Sequence, residues 1–179
     1  MTQPNVQDSV LAHFAGAQAL RDMPAVLRGI VGWMDPDALA WRPAEDRWSV
    51  AMVLAHLAHV EAHGFRARLE RIVAEECPFL PDYDPWIFLR GAQSFDALAA
   101  LEQFRQERAR TVAFLESTAA SALPRTGRNE EFGLVTFEVY LNELPFHDLG
   151  HLRQILELYR VRAFYPRMGA YRAFYQVRP

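Results

Sequence analysis

The stretch LNELPFHDLGHLRQILELYR, residues 141–160, sets two histidines, His147 and His151, four residues apart. On a helix this spacing puts both side chains on one face, a turn apart. Both imidazoles can then reach one cation at about 2.0–2.1 Å. Turning about 100° per residue, Phe137, Leu141, Leu144, Ile155, Leu158 and Tyr159 gather on one side, and Asn142, Arg153, Glu157 and Arg160 on the other. His147, His151 and Asp148 fall in or beside the apolar sector. A buried imidazole without a partner is costly, so the pattern calls for something to satisfy these groups. Pro145 has no N–H and leaves the Leu141 carbonyl without its helical donor, which predicts a kink or bulge just before His147.

A third inward ligand must come from another element. The segment VAMVLAHLAHVEAHGFR carries His56, His59 and His63. Val53, Leu57, Val60 and Gly64 mark its apolar edge. His56 lies nearest that edge and is the best third ligand. His59 and His63 form a rival pair at the same four-residue spacing, but they sit farther toward solvent. Glu61 falls inward as a fourth ligand, an outer-shell acceptor or a partner for a tryptophan N–H. Glu61 and Asp148 are the candidates for orienting an imidazole or taking a proton. The plainer alternative for each is an internal salt bridge. His13 reads as an ordinary helix residue.

Four helical segments position these residues. The first spans about Val6 to Val31, with Pro24 expected to kink or split it and Gly32 to stop it. A connector with Trp33, Trp41 and Trp48 follows. The second segment opens at Ser49, whose hydroxyl suits an N-cap, with Trp48 and Val53 placed as a hydrophobic staple. A long crossover, CPFLPDYDPWIFLRGAQ, leads to a third segment beginning after Ser94, whose outer face is heavily charged. PRTGRNEEFG reads as a polar loop, and the fourth helix runs from about Thr136 to Val161. No stretch alternates convincingly enough for a strand. The chain therefore reads as all-α, a single domain over residues 1–179 built as a four-helix bundle with a long crossover between helices 2 and 3. An aromatic, arginine-rich tail starts at about residue 162.

Composition removes other classes. The 179 residues carry a net charge of −3, so no global basic field points to nucleic acid. One cysteine, Cys77, excludes an intrachain disulfide and a cysteine-rich zinc site. It fits a cytoplasmic protein, and a passive thiol is favoured over a nucleophile. The opening residues lack the pattern of a secretory signal, and no run is apolar enough to span a bilayer. Neither a glycine-rich phosphate loop nor G-x-S-x-G is present. Arg160, Arg162, Arg167, Arg172 and Arg178, interleaved with aromatics, would suit stacking on single strands; a tail packed over the bundle or across a dimer suits the same composition and is the preferred reading.

RWSVAMVLAHLAHVE, EECPFLPDYD and GLVTFEVYLNELPFHDLGHLRQI, in this order, resemble the DinB-like family from about Leu39 to Leu158. The likeness is strongest to the subgroup with a Pro-x-Leu-Pro-x-Tyr-Asp crossover, here Pro78 to Asp84. The resemblance implies a four-helix bundle that binds a divalent metal through His56, His147 and His151, the three residues that the helical geometry also brings forward. It implies kinship with bacillithiol transferases and mycothiol-dependent isomerases, and a homodimer. The expectation is a metal-dependent enzyme acting on small molecules, a thiol transferase or hydrolase; the alternative is a non-catalytic, stress-associated metal-binding protein. Zinc is the first choice of metal, with nickel, iron or manganese as alternatives, and a low-molecular-weight thiol is a candidate co-substrate. Neither nucleic acid nor membrane is an expected partner.

Overall fold

Ser49 starts the helix that matters most. Its hydroxyl accepts from the Met52 N–H at 3.2 Å, satisfying one of the donors every helix start leaves open. The computed structural model, which describes residues 8–87, 94–175 and 177, builds α4 from Val50 to Val60 on this cap. The helix continues through a wide π-helical turn at Glu61–Arg66 and ends as α5, Ala67–Ala74. Before it come α1 (Val10–His13), α2 (Ala17–Val31) and the short α3 (Pro36–Ala40). After it come α6 (Ala97–Ser117), capped by Asp96, and α7 (Phe137–Ala163), capped by Thr136.

Four helical rods make the bundle: α2, α4 with its π-turn and α5, α6, and α7. Leu27, Leu54, Leu57, Leu101, Phe104, Ile155 and Leu158 fill one part of the core. Leu20, Phe65, Leu69, Ile72, Leu115, Phe137, Leu141 and Leu144 fill the other. The four-helix bundle with a crossover between the second and third rods is the expected architecture.

Local details differ from expectation. The first segment does split, but at Phe14–Gly16 rather than at Pro24, which lies inside α2. Proline is tolerated there because the carbonyl it orphans, that of Leu20, accepts instead from the Arg108 guanidinium at 3.2 Å. Val6 lies outside the described residues. Likewise Pro145 sits inside α7, which runs helical from end to end. The irregular turn falls in the second rod instead.

The expected absence of strands is also corrected. Thr126–Asn129 (β2) and Gly133–Thr136 (β3) form an antiparallel hairpin, and Phe79–Leu80 (β1) pairs parallel with β2. Two- and four-residue strands are too short to show alternation. What makes them strands is a tertiary pairing between the crossover and the loop before α7. The Asn129 side chain accepts from the N–H groups of Glu131 and Phe132, and Gly133 takes a φ of 73° that favours glycine. Gly127 leaves no room for a side chain, since an added Cβ would lie 2.5 Å from Leu80 Cδ1. The sheet thus pins the crossover at Phe79–Leu80 and delivers Tyr83, Pro85 and Trp86 to one face of the bundle.

In the tail, Phe164 stacks edge-on against Tyr159, and two 3₁₀ turns, Tyr165–Arg167 and Gly169–Phe174, follow. Tyr171 and Phe174 stay exposed. Arg178 lies outside the described residues. No described helix is long and apolar enough to cross a membrane.

Candidate metal centre

His56 is held by α4, and His147 and His151 by α7. Their facing ring nitrogens meet: His56 Nε2 lies 3.3 Å from His147 Nε2, and His151 Nε2 lies 3.2 Å from the same atom. The ligand atoms of all three lie within 4.8 Å of one another. One neutral imidazole nitrogen has a single lone pair or a single proton. His147 Nε2 therefore cannot satisfy two neighbours well. A cation can: two nitrogens each about 2.0–2.1 Å from one tetrahedral ion stand about 3.3–3.4 Å apart. The observed separations match that edge length.

The surroundings hold the rings in the neutral, metal-ready form. Burial, then the neighbouring His151, His147 and His59, push the His56 pKa from 6.5 down to about 3, against a backbone hydrogen bond at Pro85. Burial, His151 and Arg108 take His147 to about 3. Burial also lowers His151, opposed by its bond to Gln154. That bond, 2.9 Å from Nδ1 to the amide oxygen, places the proton on Nδ1 and leaves the Nε2 lone pair aimed at the cluster. Trp48 lies 4.9 Å from the His56 ring and stacks parallel to His151 at 6.2 Å. Phe65 packs edge-on against His147. These walls restrict rotation of the rings.

The other candidates go elsewhere. Glu61 and Asp148 are buried, but neither is seen to orient an imidazole. Arg108 donates to both Glu61 oxygens at 2.8 Å each and to Asp148 Oδ2 at 2.8 Å. The internal salt bridge is thus the observed role. Burial raises the Asp148 pKa, although Arg108 pulls it down. His59 binds the Tyr83 hydroxyl through Nδ1 at 2.7 Å and packs on His63, away from the cluster. His13 is exposed near Asp8. Cys77 is exposed at the start of the crossover.

Two cavities meet at the histidines. One of about 840 Å³ is bordered by Arg47, Trp86, Phe146, Arg153, Gln154 and Glu157. The other, of about 920 Å³, is bordered by Phe65, Arg68, Tyr83, Phe132, Val139 and Tyr140. Trp48, Glu143, His147 and His151 line both. Glu143 was not singled out from sequence, though its spacing was a signal: it precedes His147 by four residues, as His147 precedes His151. Burial raises its pKa, against the pull of Arg68. Among the described residues no fourth histidine, cysteine or carboxylate joins the three imidazoles, so the arrangement resembles an open rather than a closed site.

Comparison with known proteins agrees with this picture. The model of the DinB superfamily matches residues 19–155. Among solved structures, YfiT from Bacillus subtilis, described as a probable metal-dependent hydrolase with an unusual four-helix bundle topology, superposes with a TM-score of 0.72 at 25% identity, over 81% of this chain and 84% of that one. No curated protein matches in sequence.

Proposed function

We propose that this chain, which belongs to the DinB superfamily, is a metal-dependent enzyme for small molecules that holds one divalent ion on His56, His147 and His151. One observation carries the reading. His147 Nε2 stands about a tetrahedral edge from Nε2 of both His56 and His151, with all three ligand atoms within 4.8 Å of one another, beside two cavities large enough for substrates. The description of YfiT as a probable metal-dependent hydrolase supports the reaction class. Zinc fits an all-imidazole set; nickel and iron suit the same ligands.

A bound ion would supply a Lewis acid and a lowered pKa for water or a thiol. The chain's own residues do the rest. Gln154 fixes the tautomer of His151. Trp48 and Phe65 hold the rings and keep bulk water from their faces. Glu143, at the junction of the cavities, accepts a proton from the nucleophile and returns it to the leaving group, a role suited to a carboxyl whose pKa is raised. Arg47 and Arg153 in one cavity recognise anionic substituents, while Phe132, Val139 and Tyr140 in the other pack against apolar groups. The same site serves hydrolysis, with water as nucleophile, or thiol transfer, with a thiol in its place.

The test is a screen of metal-loaded protein against activated esters, amides and thiol-accepting electrophiles. Turnover should vanish on chelation, return with metal, and fall about 10²–10⁴-fold in Glu143→Gln. A protein that binds one equivalent of metal but turns over nothing in either arm would favour the non-catalytic metal-binding alternative.

A further inference from the structure

Arg108 has the largest fully buried side chain among the described residues. It stands on α6, and its guanidinium reaches every other rod of the bundle. It donates through Nε and Nη2 to Glu61 on the second rod, through Nη1 to Asp148 on α7, and again through Nη1 to the Leu20 carbonyl that Pro24 frees on α2. Its face lies 4.9 Å over the Phe104 ring. Glu61 opens the π-turn five residues after His56, and Asp148 directly follows His147. The two carboxylates therefore belong to the chain segments that carry the facing histidines.

From this geometry we infer that Arg108 is a positioning residue for the three-histidine centre: by clamping Glu61 to Asp148 it fixes the approach of α4 to α7 and with it the His56–His147 separation. This rests on the metal reading only for its effect on affinity; the His56–His147 separation is a property of the two rings that is read apart from metal binding. A planar fork with five N–H donors can hold two carboxylates and a carbonyl at once in fixed directions. A lysine keeps the charge but not the fork. Burial of three charged groups needs a reason beyond stability, since an apolar replacement often packs as well. The continuous hydrogen bonding across four rods supplies one.

The test compares Arg108→Met, Arg108→Lys and Leu115→Ala with wild type. Leu115 is a core residue of α6 outside the clamp, so its variant controls for lost stability alone. Two readouts are taken on full-length protein. One is ring-proton NOEs between His56 and His147 in metal-free protein. The other is affinity for cobalt(II) and its visible d–d bands. Arg108→Met should lose the NOEs, bind cobalt about 10–100-fold more weakly, as loss of a group supporting metal ligands does, and shift the bands. Arg108→Lys should move the same way by less, and it carries the test if Arg108→Met does not fold. Leu115→Ala should keep the wild-type NOEs and spectrum. Wild-type NOEs and affinity in both Arg108 variants would overturn the clamp while leaving the metal site standing. So would equal losses in Leu115→Ala. If wild type binds no cobalt, the metal reading falls, and the NOEs alone decide the clamp.

Discussion

Metal-free protein should be sensitive to mild acid, and the structure says by how much. His56 and His147 are each carried from 6.5 to about 3, because burial and adjacent imidazoles oppose a charge there. A histidine whose folded pKa lies below its unfolded value favours folding fully above pH 6.5. It loses that contribution as pH falls from 6.5 toward 3, since the unfolded chain takes the proton first. At about 1.4 kcal/mol per pH unit for each group, the two together cost about 5 kcal/mol between pH 7.5 and 4.5. This is as large as the whole stability of many domains, about 5–15 kcal/mol. His151, lowered in the same direction, adds to it. Asp148 and Glu143, raised by burial, take protons first in the folded state and offset part of it. Glu102, held down to about 2 by hydrogen bonds from Arg105 and Gln106, loses its contribution only below about pH 4.5, outside the window. The assay is urea unfolding of chelator-treated protein at pH 7.5, 6.5, 5.5 and 4.5, beside His147→Leu. Wild type should weaken steeply across the window, and the variant should lose about half of that slope. Constant stability from pH 7.5 to 4.5, or an identical slope in the variant, would refute the claim that burial holds these rings neutral.

Removing the buried guanidinium should be expensive in its own right. Arg108→Met leaves Glu61 and Asp148 buried with their shared cation gone, and thermodynamic unfolding should show a loss of about 3–5 kcal/mol. The π-turn should resist substitution at Gly64, where an added Cβ would lie 2.6 Å from Val60 Cγ2; valine is stiff at that torsion. Gly64→Ala should lower the melting temperature measurably, and an unchanged value would show that the turn relaxes freely. Tyr83→Phe removes the 2.7 Å bond to His59 and should cost about 0.5–1.5 kcal/mol in denaturant unfolding while leaving metal affinity unchanged.

Features written into local sequence were legible before the fold was known. Ser49 as a cap, the apolar stripes of the rods, and the i, i+4 placement of His147 and His151 depend on neighbours a few residues away. What escaped depends on distant partners. The strands Phe79–Leu80 and Thr126–Asn129 exist only because they meet. Pro24 looked like a helix breaker because its compensation, a guanidinium from α6, is 84 residues downstream. Arg108 was lost in the charged run FRQERAR, which reads as a solvated face. Its signal was there nonetheless: Leu101, Phe104, Arg108, Thr111 and Leu115 follow one inward stripe, and an arginine in that stripe demands buried carboxylates. Glu61 and Asp148 read as inward acids for which an internal salt bridge is the plainer role, and that is the role observed; what local sequence does not show is that Arg108 is the cation.

The most direct test of the account is the metal content of untagged protein, wild type beside His56→Ala, His147→Ala and His151→Ala, before and after reconstitution with zinc or nickel. Near one equivalent in wild type, with little in each variant while all remain folded, is the predicted result. Metal retained undiminished in the variants, or none in reconstituted wild type, would contradict the three-histidine centre and leave the superfamily fold without its ion.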